Sequence, residues 1–100
     1  LTVLRVVWTK GALRELASIG DYIAEQNPRA AARIARLIHK TTHDLLSSNP
    51  FIGRRGDIDG TRELVISGTP YIVAYAVSGD DIQVLFVQHG AREWPTTLSD

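Results

Sequence analysis

A chain of 100 residues, 44% hydrophobic and 22% charged, has room for one core and lies near the average for soluble globular domains, which argues against disorder and against a membrane span. Eleven basic and eleven acidic side chains cancel to a formal charge of zero, so there is no general basic surplus for gripping nucleic acid, although a local patch remains open. With no cysteine, disulfides and thiolate metal sites are excluded, and a reducing, cytoplasmic setting is expected.

The stretch from Thr2 to Trp8 is rich in β-branched residues, with Val3 and Val7 on one face and Leu4, Val6 and Trp8 on the other. Apolar on both sides, it predicts an inner strand rather than a signal peptide. Thr9 can cap a helix running to about Gln26, in which Leu13, Leu16, Ala17, Gly20, Ile23 and Ala24 follow the spacing of one buried face. Asn27-Pro28 then forces a corner, because proline disfavours helix in the residue before it yet fits the first turn of a new helix, which Asn27 can cap.

The second helix places Ala31, Ile34, Ile38 and Leu45 on one face and Arg29, Arg33, Arg36 and Lys40 on the other, and is expected to end near Ser48. His39 and His43, four apart on it, form at most half a metal site; no third ligand is evident and no metal or cofactor is expected. The segment FIGRRGDIDG, Phe51 to Gly60, holds three glycines and reads as a connecting loop.

Strands are expected over Thr61 to Ser67, Tyr71 to Ser78 and Ile82 to His89, with short turns between them that make an antiparallel meander. The longest apolar runs, such as Ile72 to Val77, fall far short of the ~20 residues of a spanning helix, so no membrane partner is expected. The order strand, helix, helix, strand, strand, strand predicts one α+β domain over residues 1–100, two antiparallel helices packed on a mainly antiparallel twisted sheet.

The helix-corner stretch YIAEQNPRAA, the loop NPFIGRRGDIDGTREL, the strand YIVAY and the carboxyl-terminal VQHGAREWP together resemble the RelE/ParE toxins of type II toxin–antitoxin systems over nearly the whole chain. The resemblance implies a small toxin neutralised by a tightly bound ParD/RelB-like antitoxin, with operator DNA contacted only through that antitoxin. RelE-like members cleave messenger RNA on the ribosome, whereas ParE-like members are associated with poisoning DNA gyrase.

RelE-like cleavage relies on lysines in the first strand after the helices, arginines at the start of the next strand and after the last one, and a late tyrosine. Here TRELVIS has no lysine, Ile72 stands at the first arginine position, Arg92 keeps the second, and the tyrosine position falls near Leu98. The ParE-like branch is therefore favoured, with gyrase as the expected target. The alternative is a ribosome-dependent endonuclease using Arg92 with His89 or Glu63, residues whose chemistry suits phosphate binding and proton transfer. A third reading is a degenerate toxin kept as a corepressor.

Target- or partner-binding candidates are Arg54, Arg55, Arg62, Arg92 and Trp94. Arg54 and Arg55 lie between glycines, where a mobile cationic tip could touch nucleic acid or an acidic partner. Arg62 and Glu63 open a strand and must point to opposite faces. The bland readings stand beside these: Arg92 could pin the tail to Glu63 or Asp59, His89 could be a hydrogen-bonded tether, and Trp94 could cover the core edge. The cationic stripe on the second helix reads as a solvated face, and Tyr71 and Tyr75 as packing residues.

Overall fold

The computed structural model describes residues 3–90. It contains β1 (Arg5–Trp8), α1 (Lys10–Ala24), α2 (Pro28–Ser48), β2 (Arg54–Arg55), β3 (Arg62–Val65), β4 (Tyr71–Ser78) and β5 (Asp81–His89). The sheet has the strand order β1-β5-β4-β3-β2; its pairings are antiparallel except that β1 runs parallel to β5. The expected α+β architecture is present, with a mainly antiparallel sheet packed against two helices.

Both helix starts follow from their caps. The Thr9 hydroxyl accepts from the Ala12 amide at 3.1 Å and donates to the Leu85 carbonyl at 3.3 Å, fixing the start of α1 on β5. Leu85 is the extra residue of a bulge, since Ala74 faces Phe86 while Tyr75 faces Val84. Asn27 accepts from the Ala30 amide at 3.1 Å and Pro28 occupies the first turn of α2, the corner expected from the sequence.

The buried stripe of α1 is rotated from the expected one. Ala12, Leu16, Ile19 and Ile23 face the core, whereas Leu13 is 48% exposed and Ala17 is exposed. The smallness of Ala12 lets the helix approach closely, and a three-and-four spacing alone cannot say which of two adjoining rows is inside. On α2 the expected face is inside, with Ala31 and Ile38 buried, Ile34 and Leu45 packed against them, and the four cationic residues exposed on the far side.

Two expectations for the strands are corrected. The first strand is not an inner one: it occupies a sheet edge, with Leu4, Val6 and Trp8 turned to the core and Val3 and Val7 left 67% and 37% exposed. Apolar residues on both faces signalled burial on both faces, but among the described residues no helix covers the second face. The segment read as a loop contains the two-residue strand β2, in which Arg54 pairs with Glu63 and Arg55 with Arg62. Two residues are too few to show a period, so nothing in the sequence marked them.

Alternation along β4 divides the sheet. Tyr71, Val73 and Tyr75 enter the core beneath the helices, with register partners His89, Val87 and Leu64, and Arg62 on that side. Ile72 and Ala74 point the other way, along with Gln88, Val65, Phe86 and Glu63. Gly79, with φ +59°, supplies the left-handed residue of the two-residue turn between Ser78 and Asp81.

Candidate functional site

The candidate residues cluster where α2 gives way to the sheet. After Ser48 the chain passes through Phe51, Ile52 and Gly53 and enters β2 at the edge remote from β1. The Gly53 amide donates to the Tyr75 hydroxyl at 2.9 Å. Arg62 donates through Nη1 to the Gly53 carbonyl at 2.8 Å and to the Phe51 carbonyl at 3.3 Å, and its guanidinium carbon lies 5.1 Å from the centre of the Phe51 ring. On the opposite side Arg54 Nε donates to Glu63 Oε1 at 2.9 Å. The loop is held from both faces of the sheet, so Arg54 belongs to a fixed ion pair rather than to a mobile tip.

Each acidic and basic candidate then has a defined setting. Glu63 is 8% exposed, and its one described ionic partner is Arg54, whose side chain remains 61% exposed. Arg55 is exposed and makes no ion pair among the described residues. Burial pushes the Tyr75 hydroxyl above its ordinary range, against the opposing effects of the Gly53 hydrogen bond and the Arg62 charge. His89 ends β5 with its ring edge-on to Tyr71, centroids 5.4 Å apart. Arg92, Trp94 and Leu98 lie outside the described residues.

Arg54, Arg55, Arg62 and Glu63 are brought together, whereas His89 is not. Glu63 is paired with Ala74 and His89 with Tyr71, and these two β4 positions point to opposite faces, so the carboxylate and the imidazole lie on opposite sides of the sheet. Ile72 lies 8% exposed on the Glu63 face. The two helix histidines have separate partners: His39 stacks on Trp8 with centroids 5.2 Å apart, and His43 faces Asp44 at 3.4 Å. No group of three metal-ligating side chains occurs among the described residues.

Phe51 and Ile52 are the residues that sequence reasoning passed over. They are 63% and 52% exposed, side by side in a loop held by the hydrogen bonds above. The only signal for them was two large apolar residues between Pro50 and Gly53, outside any periodic segment.

Comparison with known proteins agrees with this architecture. Residues 6–94 match the family described as "ParE toxin of type II toxin-antitoxin system, parDE". The chain is 45% identical to "Putative toxin Y4kP" of Sinorhizobium fredii, over 94% of this chain and 96% of that protein. It is 39% identical to "Toxin RelE2" of Caulobacter vibrioides, over 88% of this chain and 97% of the relative. Among solved structures, one described as the chromosomal ParDE system from P. aeruginosa superposes with a TM-score of 0.77 at 26% identity, covering 87% of this chain and 96% of that one. The RelBE2 toxin–antitoxin complex from Mycobacterium tuberculosis shares the fold, with a TM-score of 0.59 at 23% identity over 92% of this chain and 97% of that one. The chain therefore belongs to the ParE toxin family of type II toxin–antitoxin systems.

Proposed function

We propose that this toxin arrests growth by binding DNA gyrase in the cytoplasm rather than by cutting RNA, and that a ParD/RelB-like antitoxin neutralises it. The observation that carries this reading is the placement of Glu63 and His89 on opposite faces of the sheet, with Glu63 engaged by Arg54. Metal-free cleavage of RNA requires a base, a cation and an acid that converge on one phosphate. A site using Glu63 and His89 together would have two of its groups on different sides of the sheet, which leaves Arg92 at most one of them, and Ile72 stands where the resemblance to RelE-like toxins calls for an arginine. The likeness to the P. aeruginosa ParDE toxin supports the same branch.

A supercoiling assay with purified gyrase tests the proposal: inhibition at micromolar toxin, with accumulation of cleaved DNA, is expected. Absence of inhibition, together with cut transcripts inside translated frames that disappear on Arg92→Ala, would overturn it. That second reading, a ribosome-dependent messenger RNA endonuclease, is favoured by the relative named RelE2.

The two solved structures named above are of toxin–antitoxin systems, which supports a cognate antitoxin here. We expect it to contribute a segment that folds on binding along the sheet edge and the helix grooves, and to contact operator DNA itself. Addition of the antitoxin should raise the unfolding temperature of the toxin in proportion to the logarithm of its excess over Kd.

A further inference from the structure

The loop between α2 and β2 combines two properties that seldom occur together: its apolar side chains are in water and its backbone is fixed. Single exposed hydrophobic residues are ordinary. Here Phe51 and Ile52 are adjacent, 63% and 52% exposed, and lie beside β2, the outermost strand on that edge of the sheet. The backbone from Phe51 to Gly53 is held by the Tyr75 hydroxyl on the Gly53 amide, by Arg62 on the Phe51 and Gly53 carbonyls, and by a hydrogen bond from the Ile52 amide to the Asn49 carbonyl at 3.1 Å. Folding alone does not require these side chains to be presented outward, whereas binding does, because a loop ordered beforehand loses less entropy on association.

The charges around the tip identify the partner's chemistry. Arg55 is exposed and makes no ion pair among the described residues, while Arg54, on the other face of β2, keeps the outer part of its side chain exposed. Asp57 and Asp59, further along, make no ion pair with either. Phenylalanine and arginine are among the residue types enriched at protein interfaces, and Ile52 extends the apolar surface of the ring beside it. Their complement is an apolar pocket with carboxylates on its rim. Ile52 offers a phosphate nothing, and one face of the Phe51 ring is already taken by Arg62, so a protein suits this tip better than a nucleic acid. An outward-projecting tip also fits a pocket in a folded partner better than a segment that folds into grooves.

We propose that Phe51, Ile52 and Arg55 form a preorganised docking tip by which the toxin inserts into an acid-rimmed apolar pocket on its protein target. The inference rests on the reading of this toxin as one that acts by binding a protein, and it holds whether that protein is gyrase or another.

The test compares wild-type toxin with Phe51→Ala/Ile52→Ala, Ile52→Asp and Arg55→Glu in four measurements: growth arrest on induction without antitoxin, affinity for the cognate antitoxin, binding to a short labelled DNA duplex, and thermal unfolding, with the supercoiling assay above run on the wild type. Ile52→Asp leaves the Arg62–Phe51 contact in place, so it reads the tip even if the double variant unfolds. The expected result is at least about a tenfold rise in the toxin level needed for half-maximal arrest, with antitoxin affinity and unfolding temperature near the wild-type values.

Arrest at wild-type levels by folded variants overturns the proposal. So does a matching loss of antitoxin affinity, which assigns the tip to that partner, or a loss of binding to a short labelled DNA duplex, which assigns it to nucleic acid. A wild type that arrests growth but leaves supercoiling untouched removes gyrase from the account while the tip is still judged on the growth readout. A wild type that arrests nothing overturns both.

Discussion

The amide of Gly53 and the hydroxyl of Tyr75 meet at 2.9 Å, joining the exit from the second helix to the centre of the sheet. Tyr75 is fully buried, and a Cβ on Gly53 would stand 2.7 Å from both that hydroxyl and the Glu63 carbonyl. Tyr75→Phe leaves a buried amide unsatisfied and should lower stability by about 1–3 kcal/mol. Gly53→Ala should lower it more, because the obstacles are backbone and a core ring. Thermal unfolding followed by circular dichroism checks both, with each 1 kcal/mol read as a fall of about 4–8 °C.

Arg54 and Arg55 are neighbours with different tasks. Arg54→Ala strips the buried Glu63 carboxylate of its cation and should destabilise the fold by about 1–3 kcal/mol. Arg55→Ala touches no ion pair among the described residues and should stay within about 0.5 kcal/mol of wild type. Urea titration of the two variants side by side separates them; equal losses would contradict the pairing.

Glu15 on α1 accepts a hydrogen bond from the Val87 amide at 3.0 Å, at the β5 edge beyond the end of β1. Burial raises its carboxyl pKa, and the hydrogen bond offsets that only in part. A raised folded pKa favours the fold fully below the ordinary value of 4.5, and that contribution is lost as pH rises through the folded pKa. Glu15→Gln should therefore gain stability relative to wild type as pH rises from about 4 to 7. The surface carboxylates Asp81 and Asp44 act in the opposite sense. Hydrogen bonds from Arg5 and Lys40 lower their pKa values, so their small contributions fade on acidification and remain in the Glu15→Gln background.

Val6 and Val7 should respond in opposite ways to lysine. Val6 packs against the core while Val7 stands on the uncovered face. Val6→Lys should cost about 2–4 kcal/mol, and Val7→Lys should cost little. Denaturant midpoints measure the contrast, and a severe loss at Val7 would mean that the outer face is covered.

The elements with caps and long periods were legible in the sequence. Thr9, Asn27 and Pro28 fixed both helix starts, and the alternation in YIVAYAVS marked the central strand. Where β1 would lie in the sheet was not legible, because alternating apolar residues look the same on an edge strand as on an inner one when the uncovered face also carries valines. The arginines of the candidate site were visible as residue types. Their partners were not, since the Arg54–Glu63 contact depends on a two-residue strand and the Arg62 contacts go to backbone carbonyls, which every residue carries. Phe51 and Ile52 escaped notice because exposure is a property of the folded molecule.

The parallel pairing of Arg5 with Asp81 gives the toxin's synthesis an order in time. β1 leaves the ribosome before the other described elements and stays unpaired until β5 has been made, so the sheet is incomplete while the helices and β2 to β4 are synthesised. A nascent toxin thus lacks its β1–β5 pairing until β5 arrives, an interval in which a partner already waiting in the cell has the first opportunity to bind.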